Sequence, residues 1–359
     1  MALSFRRSAV SAAVIALAAG SLAACGANDN GDSGDGDGGG GGKIALLLPE
    51  SKTTRYEAFD RPLFEAKVGE LCADCDVVYF NADQDESKQS DQVDSAISQG
   101  VSVIVLDPVN GESAAALVAT AQDSDIPVVA YDRFIDGADY YMSFDNEQVG
   151  ELQAQSLVDA TGGTGDILML NGAPDDPNAA QFKEGAHKIL DDSGLTILDE
   201  YDNPDWSPEN AEDHTTSQLD KLDDPSSLAG VYAANDGQAG GVIAALTGAG
   251  VDPSELPPVT GQDAELAAIQ RIVAGEQYMT VYKPIPVEAE QAADVAVKIA
   301  NGDDVTGTTD FQGVPSFIFK PIVVTQDNVM DTVVADKFYS VDDICTADYA
   351  DACAAAGVS

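Results

Sequence analysis

The feature of this sequence that most restricts its fold is a repeated alternation of short, uniformly apolar runs with segments of helical period. Ile44 to Leu48 is apolar throughout and ends at Pro49, after which Phe59, Leu63, Phe64, Val68 and Leu71 recur at the spacing of one helix face. Val77 to Phe80 is a second strand, and a helix over 85–99 turns Val93, Ala96 and Ile97 inward before Gly100 stops it. Strands over 101–106, 126–131 and 140–144, with a helix over 112–122, continue the pattern. Runs this apolar are covered on both faces, as in a parallel, doubly wound α/β sheet. A second series follows: strands over 166–170, 196–199, 228–233 and 258–260 alternate with helices near 178–190, 208–222, 237–247 and 264–274. The chain therefore holds two similar α/β halves. A strand over 279–282, a helix over 286–301 and a last strand over 317–324 arrive after both sheets have begun, so the chain crosses between the halves more than once.

Upstream of the first strand the sequence reads as an address and a tether. Arg6 and Arg7, an apolar stretch from Ala9 to Ala19 and Leu22-Ala23-Ala24-Cys25 form charged region, apolar region and processing site. The apolar stretch is too short to span a bilayer, and the run into Cys25 resembles the lipobox of bacterial lipoproteins, with residues 1–24 as signal peptide and Cys25 as the lipidated residue. The Arg pair hints at twin-arginine export, but its flanks fit poorly and ordinary secretion is expected. Gly26 to Gly42 is almost only Gly, Asp, Asn and Ser, which cannot bury enough apolar area to order itself, so residues 25–42 are expected to be a flexible linker of roughly 20–25 Å root-mean-square span. A calcium loop would need a Glu at its twelfth position, and none occurs there. The expected location is extracytoplasmic, lipid-anchored to the cell membrane.

Charge removes several partner classes. With 17 Lys and Arg against 62 Asp and Glu, the formal charge of -45 would repel nucleic-acid phosphates and anionic membrane surfaces. Besides Cys25 there are Cys72, Cys75, Cys345 and Cys353. An even set on an exported chain indicates disulfides, of which three connectivities are possible; local pairing, Cys72 with Cys75 and Cys345 with Cys353, is preferred over a long-range pair. A zinc site fits less well, because the second pair lacks the short spacing of a knuckle. No cofactor motif is present.

In open α/β sheets ligands bind at the carboxyl ends of the strands. At those positions stand Arg55 and Tyr56, Asp132 and Arg133, Asp145 and Asn146, Asn178, Trp206, Asn235 and Asp236, Gln262 and Asp263, and Lys283. Carboxylates, amides and guanidinium groups satisfy vicinal hydroxyls, while an aromatic ring covers the C–H face of a pyranose. An anion would meet Asp132, Asp145, Asp236 and Asp263 unfavourably, so the set reads as a sugar site. Taken singly, each strand-end Asp or Asn reads equally well as a helix cap.

Six separated segments then carry a resemblance. Ala130-Tyr131-Asp132-Arg133, Ser143-Phe144-Asp145-Asn146-Glu147 with Val149-Gly150-Glu151-Leu152-Gln153-Ala154, Trp206 before Pro208-Glu209-Asn210-Ala211, Asn235-Asp236, Gly261-Gln262-Asp263-Ala264 and Met279-Thr280-Val281-Tyr282-Lys283-Pro284 resemble the D-xylose-binding receptors of bacterial ABC importers, from about Lys43 to Lys337. The resemblance implies the type I periplasmic binding protein fold: two doubly wound parallel-sheet domains joined by a three-segment hinge, here 43–144 plus 284–304 and 145–283 plus 305–340, with 341–359 as a tail. It implies that Arg55, Arg133, Asp145, Asn146, Asn235, Asp263 and Lys283 hydrogen-bond the sugar and that Trp206 stacks on it. Asp132 and Asp236 are expected among the sugar-binding residues too, with orienting a neighbour as the alternative for either, and Tyr56 stands where the family tends to carry a Trp. The implied partners are a monosaccharide, D-xylose foremost, and a membrane permease with its ATPase, served by a monomer that closes on its ligand.

Other classes fit less well. His187 and His214 are the only His and neither sits in a catalytic or metal motif, so an enzyme is not expected. Gly162-Gly163-Thr164-Gly165 lacks the Lys-Ser/Thr of a phosphate loop. Two alternatives stay open: a broader receptor for glucose, galactose or arabinose, and a sugar sensor for a membrane signalling partner. Adjacent permease and ATPase genes would favour uptake, and an adjacent membrane kinase sensing.

Overall fold

The computed structural model describes residues 42–359; the expected signal peptide, the expected lipidated Cys25 and nearly all of the expected linker lie outside the described residues. The described residues form twelve strands: β1 (Lys43–Leu48), β2 (Asp76–Asn81), β3 (Val103–Leu106), β4 (Val128–Tyr131), β5 (Tyr140–Phe144), β6 (Thr164–Asn171), β7 (Gly194–Asp202), β8 (Gly230–Ala233), β9 (Thr280–Tyr282), β10 (Thr309–Phe311), β11 (Val314–Phe319) and β12 (Ile322–Val324). The first sheet has the order β10-β11-β5-β4-β3-β1-β2, parallel except for β10. In the second, β7-β6-β8 are parallel, and bridges from Val231 to Val259 and from Gln262 to Val281 continue it to the antiparallel pair β9 and β12. The segment expected as a strand over 258–260 thus makes a single isolated bridge, at Val259, in place of a regular strand.

Both sheets are doubly wound in the same sense, with the second strand outside the first and the third on its other side. β1, β3 and β4 are apolar and buried on both faces because helices cover both. One face packs Ile44, Leu46, Val103, Val105 and Val129 against Phe64 and Val68 and against Ala292, Ala293 and Ala296 of helix Ile285–Asn301; the other packs Ile104, Leu106, Val128 and Ala130 against Val93, Ala96, Ala114 and Val118.

A helix the periodicity does not announce, Asn146–Thr161, follows β5. Its inner stripe is Val149, Gly150, Gln153, Ala154 and Leu157, too small and polar to read as a core face. Smallness is what the packing uses. A Cβ on Gly150 would collide with the carbonyl of Phe182, and one on Gly185 with that of Glu147, so this helix and Pro177–Leu190 cross in backbone contact.

Three segments join the halves: β5 into Asn146–Thr161, β9 into Ile285–Asn301, and β11 into β12. The last corrects the expected single strand over 317–324. Pro321 has no N–H to donate to a ladder, and the chain leaves the first sheet at Phe319 and enters the second at Ile322. Of the segment 305–340, expected in the second half, β10 and β11 pair in the first sheet. Nor is 341–359 a loose tail: Ile344, Cys353 and Val358 are buried with Ile269, Ile272 and Val273 of the second half. Disulfides link Cys72 to Cys75 and Cys345 to Cys353, with Cα atoms 5.3 and 5.8 Å apart.

Candidate functional site

The carboxyl ends of β1, β4, β6, β7, β8 and β9 face one cleft between the halves, where doubly wound sheets place ligands. The cleft holds about 280 Å³ of empty space, its part open to solvent included. Nine of the twelve residues expected at a site line it: Arg55, Tyr56, Asp132, Arg133, Asn178, Trp206, Asn235, Asp263 and Lys283. Three take left-handed backbone conformations, Asp132 (φ 55°), Trp206 (φ 54°) and Asp263 (φ 90°). Non-glycine residues adopt these only where surrounding structure holds them, and such strain gathers at functional sites.

The other three stand outside that lining. Asp145 is exposed and spends an oxygen on the N–H of Gln148 at 3.1 Å, capping Asn146–Thr161. Asp236 is buried behind the cleft and accepts from Gln277 Nε2 at 2.8 Å, Thr280 Oγ1 at 2.9 Å and the Glu265 N–H at 2.9 Å, bracing the second half. Asn146 stands one layer back and donates to Asn178 Oδ1 at 2.9 Å. Asn235 does both jobs: its Oδ1 caps Asp236–Gly248 through Gln238 at 3.0 Å while the residue lines the cleft. Gln262, named above as a strand-end residue, also lines it with an unpartnered Oε1. Thr53, Asp176 and Phe182 line the cleft without having been singled out in sequence.

Every cation at the site is already neutralised by the protein. Arg55 donates from Nε to Asp60 Oδ2 at 3.0 Å, from Nη2 to Asp60 Oδ1 at 2.7 Å and Glu288 Oε2 at 2.8 Å, and from Nη1 to Asp132 Oδ1 at 3.1 Å. Four of the five guanidinium N–H groups are thereby used, leaving one for a ligand. Arg133 donates from Nη1 to the Pro108 carbonyl at 2.9 Å and stands with Nε 2.9 Å from Asp176 Oδ2, and Lys283 Nζ lies 2.8 Å from Asp263 Oδ1. Burial opposes the charge of Lys283, but Asp263 and Asp132 overcome it and raise its pKa. Burial also works to raise Asp132, yet Arg55, Lys283 and Arg133 together hold it below the usual carboxylate range. Burial dominates at Asp107 and Glu288, whose pKa values are driven well up against the pull of Arg133 and Arg55. A site with its cations paired and its deepest carboxyls shifted toward the neutral acid offers no field for an anion; it suits a neutral, polyhydroxylated molecule.

The aromatic wall is built as firmly. The Trp206 indole lies against Gly172, where a Cβ would strike the ring, and Phe182 meets it edge-on at 6.2 Å and 68°. Its Nε1 donates to Asp176 Oδ2 at 3.0 Å. Among the described residues no group of three or more His, Cys, Asp or Glu is placed to hold a metal ion, and no helix is long and apolar enough to cross a membrane.

Comparison with known proteins agrees with this geometry. Residues 44–304 match the family model described as periplasmic binding protein domain. Over 311 residues, 83% of this chain and 91% of the relative, the sequence is 39% identical to the D-xylose-binding periplasmic protein of Escherichia coli strain K12. It is 31% identical over 288 residues to the multiple sugar-binding periplasmic receptor of Rhizobium radiobacter, covering 73% of this chain and 81% of that one. Among solved structures, an ABC transporter solute-binding protein of Clostridium phytofermentans with bound β-D-glucose superposes with a TM-score of 0.76 at 26% identity, over 84% of this chain and 99% of the other. These relatives are binding proteins rather than enzymes, and this chain, with its type I fold, belongs to the periplasmic binding protein family.

Proposed function

We propose that the chain is an extracytoplasmic receptor that captures an aldose, D-xylose first among them, by closing its two halves over the cleft, and presents it to the permease of an ABC importer. The observation that carries the reading is the pairing of every cleft cation with a protein carboxylate beside a fixed indole wall. Such a site rewards a neutral ring with an apolar face and a rim of hydroxyls. The 39% identity to a D-xylose-binding protein supports xylose. Contacts from both halves exist together only in the closed form, so the ligand shifts the population toward it, the hinge closure known for periplasmic binding proteins. Cys25 is proposed to anchor the receptor to the membrane through its lipid.

A broader aldose specificity is the second reading. Tyr56, buried in the cleft, presents a smaller wall than the Trp the resemblance implies there, and the Rhizobium relative is named for multiple sugars. Calorimetric titration of the chain from Lys43 to Ser359 with D-xylose, D-glucose, D-galactose, L-arabinose and D-ribose separates the two. Xylose binding with glucose at least about a hundredfold weaker, about 2.7 kcal/mol, establishes the dedicated receptor. Comparable affinities establish the broad one, and no heat with any of them removes the monosaccharide reading.

A further inference from the structure

We propose that Asp176 is the positioning residue of this site: it fixes Trp206 for the ligand and latches the two halves together through Arg133. The inference rests on the receptor reading above. Asp176 is buried at the start of helix Pro177–Leu190, where Oδ1 accepts the N–H of Asn178 at 2.8 Å. A cap needs only that one oxygen. The other accepts from Trp206 Nε1 at 3.0 Å and stands 2.9 Å from Nε of Arg133, which belongs to the first half. One carboxylate thus joins a helix start, the aromatic wall and a cation from across the cleft.

The surroundings show why both attachments matter. Trp206 and its neighbour Asp205 are successive left-handed residues, at φ 54° and 58°, a conformation that does not hold a large ring in place unaided. The Asp176 bond, with Gly172 behind the indole, supplies that hold. Arg133 is kept by its own half through the Pro108 carbonyl and the Tyr56 hydroxyl, at 2.9 and 3.4 Å, and its nearest carboxylate there, Asp107, is 3.5 Å away with both oxygens lacking a hydrogen-bond partner. Asp176 brings Arg133 a closer carboxylate only when the halves meet. They meet beside it: the Gly111 N–H of the first half donates to the Asp175 carbonyl of the second at 3.3 Å, and a Cβ on Gly111 would strike Pro177. The pair therefore favours the closed form together with the ligand, as any interaction confined to one state must.

Trp206 is the only Trp in the chain, so selectively excited emission reports on it alone. In sugar-free protein, Asp176→Ala is expected to shift that emission and to raise its quenching by acrylamide. For the latch, a Trp206→Phe background keeps an aromatic wall and removes the indole N–H, so that Asp176→Asn retains the capping oxygen and loses only the charge facing Arg133. There Asp176→Asn is expected to weaken aldose binding at least about 30-fold, as loss of one buried charged partner does, and adding Arg133→Gln is expected to cost much less than Arg133→Gln costs alone. Unchanged emission and quenching in Asp176→Ala, or binding within about threefold of the background in Asp176→Asn, would overturn the proposal. If the unaltered protein binds no aldose, the receptor reading falls, and the sugar-free quenching still decides whether Asp176 positions Trp206.

Discussion

Arg55→Met tests the electrostatic design of the cleft most directly. The Arg55 side chain is 2% exposed, and its partners Asp60, Asp132 and Glu288 are 1%, 5% and 0% exposed. Removing the guanidinium leaves three buried carboxyls with four hydrogen bonds missing. Adding those bonds separately, at about 1.5–3 kcal/mol each for charged groups, would overshoot, because a carboxyl that loses its cation takes up a proton at about 1.4 kcal/mol per unit of pKa shift. Glu288 already lies well above the carboxylate range through burial, whereas Arg55 is the largest of the influences that hold Asp132 below it, so the penalty of a stranded charge falls on Asp132. The measured cost of breaking a buried pair from one side, about 3–5 kcal/mol, is the expected loss at neutral pH. Against a typical total of about 5–15 kcal/mol, the variant folds with a much reduced margin. The pH dependence has a definite sign. Without Arg55, the largest of the influences that lower Asp132, burial drives the folded-state pKa of Asp132 above its unfolded value, the folded state binds more protons, and stability falls as pH rises. The gap between variant and wild type should therefore narrow from about pH 8 to about pH 5. Urea denaturation at both pH values measures it. A loss below about 1 kcal/mol, the size of a surface ion pair, or a gap that widens in acid, would refute the reasoning.

Three further outcomes are expected. Replacing Cys345 and Cys353 by Ser should cost about 2.5 kcal/mol in a chemical melt, from the entropy of the short loop they close; an unchanged midpoint would show that the apolar contacts of Ile344 and Val358 suffice. Burial, then the nearby charge of Asp263, pushes Glu265 up to about 7, so the folded state holds a proton there that the unfolded chain has released, and wild-type stability drains away as pH rises from the unfolded carboxylate range through about 7. Glu265→Gln should accordingly gain on wild type between about pH 5 and pH 8, and parallel stability profiles would contradict it. Because 62 acids face 17 bases, raising salt from about 0.1 to 1 M, which shortens the screening length from about 10 to 3 Å, should raise the melting midpoint; a flat or falling midpoint would mean that surface repulsion is not what limits stability.

How far the site could be read in sequence depended on whether a residue's work lies on its own element or across the cleft. The strand runs of both halves and the rule that ligands gather at strand ends were enough to point to Arg55, Arg133, Trp206, Asp263 and Lys283, all of which line the cleft. They could not tell Asp145 from Asn235, since both are strand-end residues that cap the next helix; only the direction of the free side of the residue, outward for one and into the cleft for the other, distinguishes them. Helix Asn146–Thr161 escaped because its inner stripe is built for the close approach of Gly150 to Phe182, and close approach removes the large apolar residues by which helices are recognised. Its ends were nonetheless marked, by Asp145 at the start and Gly162 in the left-handed conformation at the stop. Asp176 was hidden more deeply. Asp176-Pro177-Asn178 reads as a helix start and is one, and nothing local to it announces Trp206, 30 residues on, or Arg133, on the other half. The same holds for Asp60 and Glu288, whose shared partner Arg55 lies 5 residues from one and 233 from the other. Periodicity records what a residue owes its own helix or strand. The polar groups that make this cleft neutral answer to contacts between elements, and those follow from the fold, not from any spacing in the chain.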